Sequence, residues 1–143
     1  EHRLAADRLM GDRQAAEAIL QAVGQTRWVA TEAGIDDVIA ISGSGPAYVF
    51  HFVEALEATG RQLGFDEATA RELALATFEG AIELLRQSGE PAGDLKRKVM
   101  SKGGTTERAI ASFEADGVAE AIVRGALACR ARAVEMSEEF SRS

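Results

Sequence analysis

The sequence predicts a mainly α-helical protein in which a series of long helices follows a short helix–strand pair. Alanine is abundant and only two prolines occur among the 143 residues, a composition that suits closely packed helices. From residue 36 onward, apolar residues recur at helical spacing between glycine breaks. These observations predict an all-helical C-terminal domain, over residues 35–143, and a different kind of segment before it, over residues 1–34.

The N-terminal segment has the pattern of the end of an α/β unit. Asp12 is a predicted helix cap before an alanine-rich stretch that ends at Val23, and Gly24 follows. The β-branched and aromatic residues of Thr26–Ala30 predict a short strand. No partner strand follows in the sequence, so we expect the sheet of this strand to come from residues upstream of this chain.

The C-terminal domain is predicted to contain five helices separated by glycine or proline. They cover Pro46–Leu63, a helix capped by Asp66 and running to Gln87, Asp94–Met100, Thr105–Ala115 and Val118–Phe140. Four of these helices are apolar on more than one side and cannot all bury those sides within so short a chain. The pattern therefore predicts a homodimer, with assembly into a larger homo-oligomer left open.

Composition excludes several classes of function. The net charge of −7 and the lack of a basic run longer than three residues argue against a nucleic-acid partner. The apolar runs are short and broken by charge, which argues against a membrane partner and favours a cytoplasmic location. The single cysteine, Cys129, excludes an internal disulfide and a cysteine-rich metal site, and we expect no metal.

A glycine-containing segment, Ser42–Tyr48, follows an apolar run and imitates a dinucleotide-binding loop. However, Tyr48 occupies the third glycine position, and a long predicted helix follows with no strand after it. The preferred interpretation is a helix start, with Ser44 or Gly45 as the cap and Pro46 in the first turn.

The candidate site is the stretch Ser101–Thr106, in which Gly103 and Gly104 lead directly into a predicted helix. Free amides at a helix start, together with the helix dipole, bind small anions such as a carboxylate. Gly103, Gly104 and Thr105 would supply these amides, and Ser101 and Thr106 would add hydroxyl groups. The alternative is an ordinary capped helix, with Gly104 as the cap and Glu107 forming half of a capping box.

A basic run precedes this loop. Lys96, Arg97 and Lys98 would attract an acidic ligand, or would simply form a solvated helix end.

The motifs together resemble a known family. Ser42–Phe50, Leu95-Lys96 leading to Val99, and Ser101-x-Gly103-Gly104-Thr105-Thr106 closely resemble pyrroline-5-carboxylate reductase, the last enzyme of proline biosynthesis. The resemblance extends from about Asp12 to Phe140. It implies that residues 1–34 are the remnant of an N-terminal Rossmann-like domain, and that residues 35–143 are the helical dimerisation and substrate-binding domain.

The resemblance also implies an activity, which is the reduction of 1-pyrroline-5-carboxylate to L-proline by NADPH or NADH. The cofactor would be bound mainly by the N-terminal domain, which this chain lacks, so we expect the chain alone to be inactive. The substrate carboxylate would bind at Ser101, Gly103, Gly104 and Thr105. Thr106 matches the family threonine that reaches the imine nitrogen and is the expected catalytic residue.

One residue departs from the family motif. Lys102 stands where the family usually has proline. Either the loop is loosened, because φ is no longer fixed, or the ammonium group assists carboxylate capture.

Two other functions remain open from the sequence. One is a catalytically inert helical module that self-associates. The other is a related imine or β-hydroxyacid reductase.

Overall fold

The computed structural model describes residues 2–22, 24–31 and 33–142, and throughout these ranges the regular structure is helical, with no strand. The mainly α fold class is therefore confirmed. The helices, in chain order, are α1 (His2–Gln21), α2 (Ala33–Val38), a π-helical turn (Ile39–Gly43), α3 (Gly45–Gln62), α4 (Glu67–Ser88), α5 (Ala92–Val99), α6 (Thr105–Ala115) and α7 (Val118–Ser141).

The chain divides into two compact units, Glu1–Ile35 and Asp36–Ser143. In the first unit the strand predicted at Thr26–Ala30 is wrong, because residues 25–29 have no regular structure. A strand needs a hydrogen-bonded neighbour, and the described part of this chain offers none. The Arg13 guanidinium instead lies 4.5 Å from the centre of the Trp28 ring, which holds this irregular segment against α1.

The start of α1 also differs from the prediction. The helix passes through Asp12 without a break, so Asp12 is not a cap. The predicted end of this helix, Val23, lies outside the described residues.

In the second unit, α3 and α4 form an antiparallel helical hairpin. Gly64 has φ +97°, its N–H donates to the Arg61 carbonyl, and the Phe65 N–H donates to the Gly60 carbonyl. These two bonds are the Schellman arrangement, which satisfies the last carbonyls of α3. Asp66 then caps α4, because its Oδ1 accepts from the Thr69 N–H at 2.8 Å. Both predicted boundaries are therefore confirmed.

The remaining helices are also separated by glycines in the left-handed region. Gly89 follows α4 with φ +65°, and Gly117 separates α6 from α7 with the same φ. The predicted bounds of α6, Thr105–Ala115, are those of the structure. The helix α7 packs on the π-helical turn and on α6.

The core of the second unit is small. Among the described residues, only Ala40, Ala70 and Ala74 are buried. Large apolar side chains are left exposed, including Phe50 at 69% and Leu63 at 74%. Such extensive apolar exposure is typical of a surface that associates with another protein.

No helix within the described residues combines the length and the apolar character that spanning a membrane requires.

Candidate functional site

The loop before α6 is a tight turn. The Gly104 N–H donates to the Ser101 carbonyl at 2.8 Å, which closes a four-residue turn with Lys102 and Gly103 in its centre. Gly103 has φ +74°, whereas no residue other than glycine has a positive φ among the described residues. A positive φ at the third turn position alone defines a type II turn, and this position favours glycine.

Glycine is needed at position 104 because of a close neighbour, Ser101, and not because of the backbone angles. The φ of −83° and ψ of 170° at Gly104 are open to any residue, and Gly104 is the N-cap of α6. A Cβ atom at this position would lie 2.3 Å from Ser101 Oγ and 2.9 Å from the Ser101 carbonyl oxygen. The Ser101 side chain therefore lies directly against Gly104, at the start of α6.

The Glu107 carboxylate closes the loop from the other side. It stands at the third position of α6 and accepts a hydrogen bond from the Gly103 N–H at 2.5 Å. A capping box would direct this side chain to the N-cap amide of Gly104. The predicted half capping box is therefore not formed: Glu107 bonds to the amide one residue before the N-cap, and the Gly104 amide bonds to the Ser101 carbonyl.

Three amides at this helix start remain available. The N–H groups of Thr105, Thr106 and Glu107 have no acceptor among the described residues, and the Arg108 N–H is the first to bond, to the Gly104 carbonyl. Both threonines are exposed, as is Ser101. The helix dipole adds partial positive charge at this point. The arrangement can therefore receive a small anion on two amides, with hydroxyl groups of Ser101 and Thr106 nearby in the sequence.

The basic run before the loop is neutralised. Lys96 pairs with Glu114 of α6 at 3.5 Å, Arg97 pairs with Asp94, and Lys98 pairs with Glu90. The interpretation of these three cations as an attractor for an acidic ligand is therefore weakened. Lys102 has no ion-pair partner within the described ranges.

The segment Ser42–Tyr48 does not form a dinucleotide-binding loop. It is preceded by α2 and the π-helical turn rather than by a strand, and it leads into α3. Ser44 is the N-cap of α3, as predicted, but it makes no side-chain capping bond. Its hydroxyl oxygen instead accepts from Cys129 Sγ of α7 at 3.1 Å. The described residues form no hydrogen bond between this segment and the glycine loop.

Tyr48 reinforces this junction between α3, α7 and the π-helical turn. Its hydroxyl group donates to the Ala40 carbonyl at 3.2 Å. The neighbouring Cys129 side chain raises the pKa of the Tyr48 phenol, and burial acts in the same direction. The phenol therefore remains protonated and serves as a structural donor.

Two polar contacts that local sequence patterns did not predict attach α7 to α2. Arg130 forms an ion pair with Asp37, and Ser137 donates to Asp36 at 3.4 Å. Asp37 raises the pKa of Arg130, first through the hydrogen bond and then through its charge. These partners are more than ninety residues apart in the chain, so no local signal points to them.

An apolar groove of about 440 Å³ lies between α3 and α7. One wall carries small residues of α7, including Gly125 and Ala126. Tyr48, Phe52 and Ile122 also line the groove. His51 lies at its edge and is exposed, with its ring 3.9 Å from the Glu54 carboxylate.

The fold and this site define an all-helical domain with extensive apolar surface and a glycine turn that opens a helix. A family model described as pyrroline-5-carboxylate reductase dimerisation matches residues 32–136. The chain belongs to this family.

Similar proteins agree with this assignment. The chain is 44% identical over 123 residues to pyrroline-5-carboxylate reductase of Pseudomonas aeruginosa, which covers 85% of this chain and 45% of that protein. It is 38% identical over 127 residues to pyrroline-5-carboxylate reductase 2 of Bacillus subtilis, and this match covers 89% of this chain and 45% of that protein. The chain thus spans about half the length of the curated relatives it matches.

Solved structures show the same likeness. A pyrroline-5-carboxylate reductase from Coxiella burnetii matches with a TM-score of 0.81 and 38% identity, covering 87% of this chain and 46% of that one. A Plasmodium falciparum pyrroline carboxylate reductase, crystallised with NADP bound, matches with a TM-score of 0.80 and 29% identity, covering 85% and 46%.

Proposed function

We propose that this chain is the dimerising and substrate-binding part of a pyrroline-5-carboxylate reductase, a cytoplasmic enzyme that reduces 1-pyrroline-5-carboxylate to L-proline. The observation that carries the proposal is the pair of free amides at Thr105 and Thr106, at the start of α6, in a chain of this family. A small substrate with one carboxylate and one imine matches two amides and a neighbouring hydroxyl group.

In the proposed site, some amides of the loop shape the turn and others bind the substrate. The amides of Gly103 and Gly104 donate within the loop, to Glu107 and Ser101, and so give the turn its shape. The substrate carboxylate is then received by the amides of Thr105 and Thr106, with the Ser101 hydroxyl assisting.

Thr106 is the proposed catalytic residue. Its hydroxyl group lies one residue beyond the N-terminal residue of α6, where it can address the ring nitrogen while the amides hold the carboxylate. A threonine hydroxyl group is a weak acid, so it orients the imine and relays a proton from water, or binds an imine that is already protonated. Fixing the ring in one orientation supplies much of the acceleration.

The cofactor, NADPH or NADH, supplies the hydride and is assigned to the N-terminal domain of the whole enzyme. Within the described residues, the segment Ser42–Tyr48 does not fit a dinucleotide-binding loop, because Gly43 ends the π-helical turn, Gly45 begins α3, and neither follows a strand. We assign residues 1–34 to the end of that N-terminal domain and residues 35–143 to the helical domain, so this chain alone is expected to have no reductase activity.

The proposed assembly is a homodimer, or a larger homo-oligomer built from it. With only three alanine side chains buried among the described residues, a second copy is needed to cover side chains such as Phe50 and Leu63. Light scattering at micromolar concentration would test this, and a monomer would contradict it.

The enzymatic proposal is tested in the full-length protein by following NADPH or NADH oxidation with 1-pyrroline-5-carboxylate. Thr106→Val removes the hydroxyl group at nearly constant volume, and we expect turnover to fall by about 10²-fold. Thr77→Val is a matched control, because Thr77 is an exposed helical threonine whose hydroxyl group only bonds to the Leu73 carbonyl. A full-length wild type that dimerises but oxidises neither cofactor would instead support an inert self-association module.

A further inference from the structure

Glu107 has a role at this loop beyond helix capping. Its carboxylate accepts the Gly103 N–H at 2.5 Å, from the first turn of α6 back to the turn that precedes the helix. A side-chain oxygen that accepts from a backbone N–H holds that N–H in one direction, because the hydrogen bond weakens steeply as its angle departs from linear. This bond fixes the direction of one particular peptide group, the one between Lys102 and Gly103.

That peptide group is the part of a type II turn that is able to flip. Types I and II differ by a rotation of about 180° of the central peptide, which exchanges the directions of its N–H and C=O groups. Glycine at the third position is compatible with both forms, so Gly103 itself does not select one. In the flipped form, the Lys102 carbonyl would face the side of the turn where the Gly103 N–H now meets Glu107.

The flip would disturb the anion site. A carbonyl oxygen in the place of the Gly103 N–H would repel the Glu107 carboxylate and would remove the bond that holds the loop before the Thr105 and Thr106 amides. The bond from Gly103 to Glu107 prevents this arrangement and keeps the loop shaped around Ser101 and Gly104.

We propose that Glu107 is a positioning residue that latches the Lys102–Gly103 peptide in the direction that a carboxylate substrate requires. The role rests on the proposed function, because it concerns the same site. Glu107 does not touch the substrate and acts through the turn. The latch depends on the reach of the side chain and on an acceptor oxygen rather than on its charge.

Two conservative variants of the full-length enzyme separate the effect of side-chain length at residue 107 from the effect of its charge. Glu107→Gln keeps the length and an acceptor oxygen but removes the charge. Glu107→Asp keeps the charge near the N-terminus of α6, where it stabilises the helix, but it is one methylene too short. Glu114→Gln is the matched control, since Glu114 is on the same helix and faces Lys96 rather than the loop.

We expect Glu107→Asp to raise the KM for 1-pyrroline-5-carboxylate about tenfold, while kcat changes less and the KM for NADPH stays constant. Glu107→Gln and Glu114→Gln should stay within about twofold of the wild type. Thermal melting of each variant shows that the fold is retained.

Either of two results in an active enzyme would overturn the latch. One is an Asp variant with the wild-type KM. The other is a Gln variant as impaired as Asp, or with a lower KM, since the charge would then be the property that matters. A wild-type enzyme that reduces no 1-pyrroline-5-carboxylate would instead overturn the proposed function itself, and this role with it.

Discussion

Gly60 of α3 lies against Ala70 of α4 so closely that a Cβ atom on Gly60 would be 2.8 Å from the Ala70 Cβ. Ala70 is 2% exposed and is one of the few buried side chains of the second unit. The two backbones of the α3–α4 hairpin therefore meet at this point, four residues before the glycine that ends the hairpin's first helix, Gly64.

Gly60→Ala should destabilise the protein even though alanine is the better helix former. Alanine in a helix interior usually gains about 0.5–1 kcal/mol over glycine, whereas overpacking of a close contact costs about 1–3 kcal/mol. The steric cost is the larger, so we expect a lower urea midpoint at an unchanged m-value.

The double variant Gly60→Ala/Ala70→Gly tests the cause of that loss. It moves the methyl group from one helix to the other and removes the closer of the two contacts, leaving the Cα of residue 70 at 3.2 Å. The two substitutions should therefore be less destabilising together than the sum of their separate effects. If the two losses of stability add strictly, the contact with residue 70 is not the reason why Gly60→Ala is destabilising.

Asp66 should make the stability of α4 depend on pH. The hydrogen bond from the Thr69 amide lowers the pKa of Asp66 from its ordinary value of 3.8. A group whose pKa is lower in the folded state stabilises that state above the unfolded pKa, and the contribution is lost as the pH falls through the folded pKa.

We therefore expect Asp66→Ala to be less stable than the wild type at neutral pH, with the difference shrinking below pH 3.8. Asp66→Asn keeps a capping oxygen and should lie nearer the wild type at neutral pH. Urea unfolding at a series of pH values measures this. A difference between Asp66→Ala and the wild type that stays constant down to the lowest pH would contradict the assignment.

The features that the sequence predicted correctly are those with local causes. Gly64, Asp66 and Gly117 mark helix ends because a left-handed φ or a capping oxygen is needed at that residue, whatever surrounds it. The turn at Gly103 and the start of α6 at Thr105 follow from the same kind of signal.

The features that the sequence did not predict depend on partners elsewhere. Thr26–Ala30 has the composition of a strand, but without a neighbouring strand in the described residues it remains irregular. The ion pair of Lys96 is not evident from the sequence, because its partner Glu114 lies on the next helix. The Gly103 amide bonds to Glu107, and the Gly104 amide bonds to the Ser101 carbonyl. Residue types alone do not decide between this pairing and a capping box.

Gly104→Ala should disrupt the candidate site while leaving the helices formed. The added methyl group would meet Ser101 Oγ at 2.3 Å and the Ser101 carbonyl at 2.9 Å. The side chain can rotate away but the carbonyl cannot move without opening the turn, so we expect a KM for 1-pyrroline-5-carboxylate raised about tenfold or more in the full-length enzyme.

Gly93→Ala is the control for Gly104→Ala. Gly93 lies in the first turn of α5, is exposed, and meets only the end of the Arg97 side chain, at 3.8 Å. It should leave the KM unchanged. Equal effects of the two substitutions would show that the contact with Ser101 is not the cause.

Lys102→Pro should stabilise the loop. Lys102 is the second residue of a type II turn, where proline is favoured because its fixed φ suits the turn. Its N–H donates to no acceptor within the described residues, so proline would remove no hydrogen bond. We expect a gain of about 0.4–1 kcal/mol in the free energy of unfolding, measured by urea denaturation, because the unfolded chain loses conformational entropy.

Lys102→Ala distinguishes the two explanations for the lysine at this position. If the ammonium group assists carboxylate capture, both Lys102→Ala and Lys102→Pro should raise the KM for 1-pyrroline-5-carboxylate, and more so at low ionic strength, where an exposed charge acts over a longer distance. If the lysine only leaves the turn less constrained, Lys102→Ala should keep the wild-type KM and Lys102→Pro should match or improve on it. A destabilised Lys102→Pro variant would contradict the type II turn itself, because that turn accepts proline at this residue without strain.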